Sequence, residues 1–508
     1  TLGVRYEYAQ PKYDTQGRTF SFIPGAQSTR FSNAPLGLVF PGDKGAPTGS
    51  NFPDKNDWAP RFGFAWDVFG NAKTSIRGGF GIFYDVLKGE DNLQFNGQPP
   101  FFSSSSINFS TPDDTQSGPT GYLSNPYAGT VNPFPSRPPA SNIDFAASGL
   151  LPFGNGIFLV DPHLRTPYVY QYNLNLQQQL PAGMVLELGY LGSDSHKLTS
   201  LVDINPFPLG SDTRIYNTSP DNSLYYFLLE FQNLSKANYN AMEANLTKRF
   251  SNSILGNTFF TFAYTWGHEI DNASGFRQRN SQVPYYNHDQ FRASGDTDVR
   301  QYFSLSGGWE LPFDRIWQRG PKLLTKGWSL YPIVTWRTGF PIDVPANLNS
   351  DNVTPGPAGD GQPLLVRADL VGKNVQTYNP RQYQNINGSG GNYYFNPANF
   401  SNTRAEVLNY LSQVDPSQLV GQFTYGSCPR NGINGPGLIN ADLAISKHFL
   451  LFGEKLDAEL RGDAFNVFNH ANFLTPDTFI TSPTFGQIST TVSTLGPGES
   501  SRIIQVAL

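Results

Sequence analysis

The six histidines are the first residues to consider for chemistry, because imidazole serves as a metal ligand and as a general acid or base. His268 and Glu269 begin like the HExxH zinc motif, but Asn272 stands where the second histidine must lie. The pair also follows a strand-like segment, so we interpret it as the entry to a loop. A zinc site needs three or four ligands at set spacing, and the histidines are scattered: His163, His196, His268, His288, His448 and His470. The sequence predicts no metal site and no cofactor.

Other catalytic patterns are also missing from the sequence. There is no GxSxG elbow, GxGxxG run or P-loop. Asp360 lies between two glycines as in a calcium loop, but the further carboxylates of such a loop are absent, which favours a plain turn. Glu459 and Asp463 lie on one strand face, with Arg461 between them, and this favours a hydrated wall over an acid–nucleophile pair. We therefore expect that the protein is not an enzyme.

Composition excludes several classes of protein. A net charge of −5 over 508 residues does not indicate a nucleic-acid-binding surface. The single cysteine, Cys428, cannot form an internal disulfide, and we interpret it as an incidental surface or loop residue. Charged residues make up 15% and aromatic residues 14%, and no apolar run approaches the length of a membrane-spanning helix. These features favour an aromatic, glycine-rich, all-β chain, which already alternates like a strand at its first residues.

Alternation of apolar and polar residues predicts about twelve strands. The clearest example places Phe260, Phe262 and Tyr264 on one face, and Thr261 on the other. Most segments run about nine to fifteen residues, which suits tilted strands that cross a membrane better than the shorter strands of soluble sheets. The predicted segments are 1–10, 58–68, 73–86, 167–180, 184–195, 238–250, 255–269, 300–312, 327–340, 438–449, 455–469 and 500–508.

The connections between these segments alternate strictly between short and long. The long ones are 11–57, 87–166, 196–237, 270–299, 341–437 and 470–499, and the mid-length turn 313–326 falls in a short position. An up-and-down transmembrane β-barrel has this asymmetry, with short periplasmic turns and long extracellular loops. We predict such a barrel, in which Phe260, Phe262 and Tyr264 contact lipid.

Ten charged residues fall on the polar side of the predicted strands, where they would face the lumen. They could simply be hydrated there, or they could contact a plug that moves during transport. In a narrow barrel they would be buried and costly unless paired, whereas in a wide barrel they cost little. The residues are Arg61, Arg77, Glu187, Glu243, Arg249, Glu310, Arg337, Glu459, Arg461 and Asp463.

Several segments resemble the barrel of large TonB-dependent outer-membrane receptors, most closely the Oar-like group of acidobacterial type, which carries a carboxypeptidase-regulatory-like domain. The similar segments, in chain order, are 59–85, 238–242, 248–252, 264–266, 309–313, 435–437 and 465–470. The resemblance covers nearly all the predicted strands and becomes weaker in the long loops.

This resemblance implies a 22-strand barrel with an N-terminal plug, and ligand import energised through TonB. Residues 1–508 would then be the C-terminal portion of the barrel, with the plug and the N-terminal domain outside this sequence. We expect a protein of the cell outer membrane whose partners are lipid, the TonB complex through the plug, and an imported siderophore, oligosaccharide or peptide. The alternative is a secreted or surface all-β protein that binds or degrades polysaccharide.

The two longest loops, 87–166 and 341–437, are expected to capture the ligand. Connections of this size are uncommon unless they are functional or disordered. Both contain aromatic residues, which could bind a ligand or pack the loops together: Phe101, Phe102, Tyr122, Tyr127, Tyr393, Tyr394 and Phe395.

Overall fold

Twelve long strands form a single sheet in this computed structural model. The structure describes residues 1–85, 101, 143, 145, 157–206, 214–216, 225, 228–253, 256–275, 283, 287–345, 367–386, 388–403, 426–451, 456–492 and 501–508. The long strands are β1 (Leu2–Glu7), β2 (Asp57–Asp67), β3 (Thr74–Tyr84), β4 (Tyr168–Leu180), β5 (Met184–Asp203), β6 (Leu228–Ser253), β7 (Gly256–Asp271), β8 (Gln301–Glu310), β9 (Trp328–Arg337), β10 (Leu438–Leu451), β11 (Leu456–Phe465) and β12 (Ile503–Ala507).

Each of these strands pairs antiparallel with the next one along the chain, from β1 to β12. This up-and-down order, an antiparallel barrel wall, confirms the predicted fold class and the predicted succession of strands. Within the described residues β1 pairs with β2 alone and β12 with β11 alone, so the sheet is open between them. Strand β3 has 11 residues. At about 3.3 Å per residue and a tilt of about 40°, it rises roughly 28 Å, close to the height of the apolar band of a membrane barrel.

Short elements occupy the connections. Two short helices, α1 (Phe313–Ile316) and α2 (Lys322–Thr325), lie between β8 and β9, and 3-10 turns lie at Pro181–Gly183 and Pro397–Asn399. No helix in the described ranges is long and apolar enough to span a membrane. The short strands are Ser21–Phe22, Leu38–Val39, Ile157–Val160, Ala293–Ser294, Pro341–Ile342, Asp369–Leu370, Gln384–Ile386, Ser389–Gly391, Phe400–Ser401 and Ile433–Asn434.

The predicted loop 196–237 was wrong at both of its ends, because strands β5 and β6 extend far into it. They stay paired as far as Asp203 and Leu229. The polar residues of 193–200 hide the alternation there, but the extension is buried around Leu201, Leu229 and Phe231. Strand β7 likewise continues to Asp271, so His268 lies within a strand, opposite Asn240, and does not begin a loop.

Among the described residues, the long connections form two large buried cores at one end of the sheet, besides the smaller cluster around Leu201. We call them the first loop core and the second loop core. The first draws residues from the connections before β2, β4 and β6; its members include Phe22, Phe31, Leu38, Phe40, Phe145, Leu159, Tyr225 and Leu228. The second draws on the connections after β9 and β11, and contains Ile342, Val344, Ala368, Phe395, Phe400, Cys428, Ile433 and Phe485.

Candidate functional site

One face of the sheet exposes large apolar side chains. In β2 the exposed fractions are 57% for Trp58, 49% for Phe62, 42% for Phe64 and 56% for Trp66. Antiparallel partners point to the same side of a sheet, and Phe62 is paired with Leu2 on one side and Phe80 on the other. A soluble protein rarely exposes a contiguous apolar surface of this kind, whereas a membrane barrel needs one.

The same face continues across the middle of the sheet. A single row joins Leu246, Phe262, Leu305, Val334 and Ala441 on five neighbouring strands. Phe262 packs edge-to-face against Phe303, with ring centroids 5.3 Å apart. Phe260, Phe262 and Tyr264 therefore lie on the apolar face, and Thr261 lies on the opposite one.

Nine of the ten predicted charged residues lie together on the opposite face, which we call the polar wall. One row of residues that are paired from strand to strand, across β3 to β9, contains Arg77, Glu243 and Arg337. Glu187 lies in the adjacent row, beside Gln177 and Asn245. The other members of this face, by alternation from the same rows, are Arg61, Glu310, Glu459, Arg461 and Asp463.

Arg249 is the exception in this set. Lys248 pairs with Phe260 and Ser251 with Thr258, so Arg249 and Phe250 together face Phe259. This is a β-bulge, and a bulge interrupts the alternation from which the face of Arg249 was predicted. The register therefore does not assign Arg249 to the polar wall.

The structure brings only a few of these charges into contact. Among the ten predicted charged residues, all of which are described, one ion pair occurs between two members of the set. It joins the Arg461 Nη2 to the Asp463 Oδ1 at 2.9 Å. Arg461 also lies over the Tyr331 ring, 5.8 Å from its centroid. Arg61 lies over the Phe83 ring at 4.5 Å, and Glu310 accepts a hydrogen bond of 2.6 Å from the Asn257 amide. Glu459 lies 3.7 Å from the His448 Nε2, and Arg337 lies over the Phe340 ring at 4.3 Å. The charges are otherwise spread along the wall, as they would be on a hydrated surface.

Loop anchors are the features that sequence reasoning missed. Arg430 is buried and donates to the backbone carbonyl of Phe291 at 2.9 Å and to the Ser274 hydroxyl at 3.0 Å. It also forms a buried ion pair with Asp271 at the end of β7. Arg430 is 159 residues from Asp271 in the chain, so no local pattern could have paired them. This contact fixes the loop after β9 to the loop after β7.

A second anchor holds the first loop core. The carboxylate of Asp43 accepts hydrogen bonds from the Ser28 hydroxyl at 2.6 Å and from the Thr29, Arg30 and Phe40 backbone N–H groups at 2.8–2.9 Å. Burial alone would raise the pKa of this carboxyl, but these hydrogen bonds outweigh burial and hold the pKa well below its usual range.

The loop aromatics that the sequence singled out are mostly packing residues where they are described. Tyr393 and Phe395 are buried, and the Tyr394 hydroxyl donates to the Asn434 carbonyl at 2.7 Å. Phe101 packs against the first loop core. Phe102, Tyr122 and Tyr127, with most of 87–166 and the turn around Asp360, lie outside the described residues.

Cys428 is part of the second loop core and not of the surface. It is 5% exposed, and burial raises the pKa of its thiol to about 11. A thiol of this kind is protonated at neutral pH and therefore unreactive. No group of three or more potential metal ligands occurs among the residues that the structure describes.

An antiparallel up-and-down sheet with an exposed apolar face, a polar wall and folded loops at one end is the wall of a membrane β-barrel. Residues 1–505 match the outer membrane beta barrel domain family. The chain belongs to this family, and its location is the outer membrane. A search of curated proteins finds no match.

Solved structures of outer-membrane proteins are also similar to the chain. The transporter YddB from Escherichia coli has 11% identity and a TM-score of 0.41, with 89% of this chain and 40% of that one covered. The siderophore receptor PirA from Acinetobacter baumannii has 9% identity and a TM-score of 0.37, with 90% and 41% covered. The ferripyoverdine receptor of Pseudomonas aeruginosa has 9% identity and a TM-score of 0.35, with 90% and 33% covered. The chain thus spans about two fifths or less of the length of these proteins.

Proposed function

We propose that this chain is the C-terminal part of the barrel of a TonB-dependent outer-membrane transporter, which imports a ligand too large or too scarce for porins. The observation that carries this proposal is that one sheet has two different faces. One is an exposed apolar face for lipid, and the other is a polar wall with charges spread along it. A wide lumen, filled by water or a plug, would let those charges remain hydrated. Ligand import, coupling to TonB and the Oar-like group are parts of the proposal.

The polar wall is proposed to face the lumen and the plug. Its charges are of both signs. Among the described residues, Arg461 pairs with Asp463 and Glu459 lies 3.7 Å from the His448 imidazole, while the other wall charges form no ion pair among themselves. Charged side chains that are solvated or only transiently paired can change partners at a small cost in free energy. This suits a wall against which a plug moves, better than one that holds a plug permanently.

The outer loops are proposed to capture the ligand, which would be a siderophore, an oligosaccharide or a peptide. Because Tyr393 and Phe395 serve packing, the exposed loop aromatics are the better candidates for stacking on a ligand. Exposed examples in the described loops are Tyr13, Tyr383, Phe468 and Phe479.

Removal of loop 341–437 tests this proposal. The loop ends lie together, since the Gly435 N–H donates to the Phe340 carbonyl at 2.8 Å, so a short linker can replace the loop. We expect the shortened full-length protein to insert into the outer membrane and to migrate heat-modifiably in gels, while binding none of a labelled panel of ferric siderophores, oligosaccharides and peptides that the intact protein binds. Retained binding would show that loop 341–437 does not recognise the ligand, and would move recognition to the other outer loops or to the plug. Uptake of the bound ligand that persists in cells without TonB would contradict the energy coupling.

The alternative of a secreted polysaccharide-binding protein has no observation in its favour. Trp58, Phe62, Phe64 and Trp66 would be exposed to water along one strand, and such a surface aggregates. Recovery of the protein from the culture medium without detergent would nevertheless support this alternative and contradict the barrel.

A further inference from the structure

The connection between β8 and β9 differs in structure from the described turn between β4 and β5. The turn between β4 and β5 contains just Pro181–Gly183, whereas residues 313–326 form α1 and α2. Large apolar side chains are exposed on this connection, with fractions of 76% for Ile316, 58% for Trp317, 51% for Leu323 and 60% for Leu324. We call this surface the helical turn patch.

The helical turn patch is an ordered structure and not a loose loop. The Trp317 N–H donates to the Phe313 carbonyl at 2.9 Å, and the Lys326 N–H donates to the Lys322 carbonyl at 3.0 Å. The Trp328 indole N–H caps α2 by donating to the Leu324 carbonyl at 2.8 Å. The fold therefore holds these apolar side chains outward, where water would be an unfavourable environment for them.

The neighbouring strands fix the position of this turn. Gly327, between α2 and β9, has a φ of +85°, and a Cβ there would lie 2.8 Å from the His448 carbonyl oxygen of β10. The buried Lys447 ammonium donates to the Lys326 carbonyl at 2.5 Å. These contacts hold the patch close against β9 and β10.

The patch is cationic as well as apolar. Its exposed charged residues are Arg315, Arg319, Lys322 and Lys326, and Asp314 is its one acid, in a chain whose net charge is −5. Apolar side chains next to Lys and Arg are the composition of a segment that lies in a membrane interface and attracts anionic lipid.

The apolar face of the sheet leads directly into this patch. Trp309 near the end of β8 is exposed and pairs with Leu330 of β9, on the lipid-facing row. Phe313 of α1 is also exposed, and only residues 310–312 separate it from Trp309 in the chain. The patch thus continues the lipid-facing surface at the end of the sheet opposite the loop cores.

We propose that the helical turn patch is embedded in the inner leaflet of the outer membrane, with Ile316, Trp317, Leu323 and Leu324 among the acyl chains and its cations on anionic phospholipid headgroups. The proposal rests on the proposed orientation, in which short turns face the periplasm. Each Lys or Arg near an anionic membrane surface favours the membrane-bound position of its segment by about fivefold. Anionic lipid should therefore strongly favour insertion of the patch. The anchor would hold this side of the barrel at a fixed depth.

The test places a fluorophore on the patch in the full-length protein. Ile316→Cys is labelled with acrylodan, and Tyr383→Cys in an outer loop gives a reference in water. Unsubstituted protein measures any background from Cys428. Each sample is reconstituted in nanodiscs of phosphatidylcholine, with or without phosphatidylglycerol, and quenched with neutral acrylamide, because an anionic quencher would collect on the cations.

We expect a blue-shifted emission at position 316 and an acrylamide quenching constant several-fold below that at position 383, in nanodiscs with phosphatidylglycerol. Equal quenching at the two positions would overturn the proposal and leave the patch open to a protein partner. In a variant with all four cations changed to Gln, the effect of phosphatidylglycerol should disappear. If it persists, the headgroup part of the proposal is wrong.

This experiment is independent of transport. It uses no imported ligand, and both leaflets of a nanodisc have the same composition. A protein that fails to import any ligand can still show the lipid anchor, and a protein that imports normally can lack it, so failure of the proposed function and failure of this inference are distinguishable.

Discussion

The sheet and the loop cores place the same kind of side chain in opposite environments. In β2, Trp58 and Phe62 are about half exposed, whereas Phe40 and Phe395 in the loop cores are completely buried, at 0%. The sheet is built for hydrocarbon on one face, so its aromatic residues point outward. The loops are surrounded by water, so they bury their aromatic residues as a soluble domain does.

Ion pairs also differ in burial between the sheet and the loops. Arg461 and Asp463 form an exposed pair on the polar wall, while Arg430 and Asp271 form a buried pair that joins two loops. Stability in the loops therefore depends on their buried apolar cores and on a few long-range polar contacts, whereas the sheet depends on its backbone ladder and its lipid-facing surface. Four predictions test this difference.

The largest effect is expected for Arg430→Ala. Loss of this arginine leaves Asp271 buried without its ion-pair partner, which typically costs about 3–5 kcal/mol. Hydrogen exchange should accelerate in residues 287–296 and 426–434, while the strands remain protected. The matched control is Arg461→Ala, whose exposed pair with Asp463 should contribute about 0–1 kcal/mol. Similar effects of the two substitutions would contradict the proposed contrast between loops and sheet.

The next effect is expected for Phe262→Arg on the apolar face. A charge there near the bilayer midplane should lower the free energy of unfolding by about 2–4 kcal/mol, and Thr261→Arg on the opposite face should cost much less. Urea titration of the protein reconstituted in lipid, followed by heat-modifiable migration, measures both. If the two variants unfold at the same urea concentration, the face assignment is wrong.

A smaller effect is expected for Asp43→Asn in the first loop core. The hydrogen bonds to the Asp43 carboxylate are charge-assisted, and their weakening should cost about 1.5–3 kcal/mol locally. Because the folded pKa of this carboxyl is lowered, its contribution to stability is full above the unfolded pKa of about 3.9. It then decreases progressively as pH falls from there through the folded pKa.

Hydrogen exchange of residues 17–46, corrected for intrinsic rates at pH 3 and pH 6, measures this dependence. The wild-type segment should lose part of its protection at pH 3, which lies below the unfolded pKa but above the lowered folded pKa, and the Asp43→Asn variant should be weakly protected at both values. A wild-type segment with equal protection at the two pH values would show that Asp43 does not anchor the core.

The smallest effect concerns Cys428, and the prediction is tested on the unsubstituted protein. Its buried thiol, with a pKa raised to about 11, should not react with iodoacetamide at pH 7.5 in the native protein and should react after unfolding. Mass spectrometry of the peptide that contains Cys428 measures the modified fraction. Rapid native modification would mean that the second loop core opens readily.

The sequence determined the sheet because the signal for it is local. Alternation with a period of two reports which residues share a face, and it needs no knowledge of the rest of the chain. This is why Phe262 and Thr261 were assigned to opposite faces and why the charged residues of the polar wall were found together. It failed at Arg249, where a bulge interrupts the period. It also failed at β5 beyond residue 195, where polar residues hide the alternation, and at β6 before residue 238.

Only the tertiary structure decided the loops. Asp271 and Arg430 are 159 residues apart, and the Tyr225 hydroxyl donates to the Leu36 carbonyl across 189 residues. Such contacts follow from which loops the barrel places next to each other, and no period in the sequence encodes that. The physical reason is that a strand's face depends on neighbours two residues away, whereas a loop core forms from segments that lie far apart in the chain.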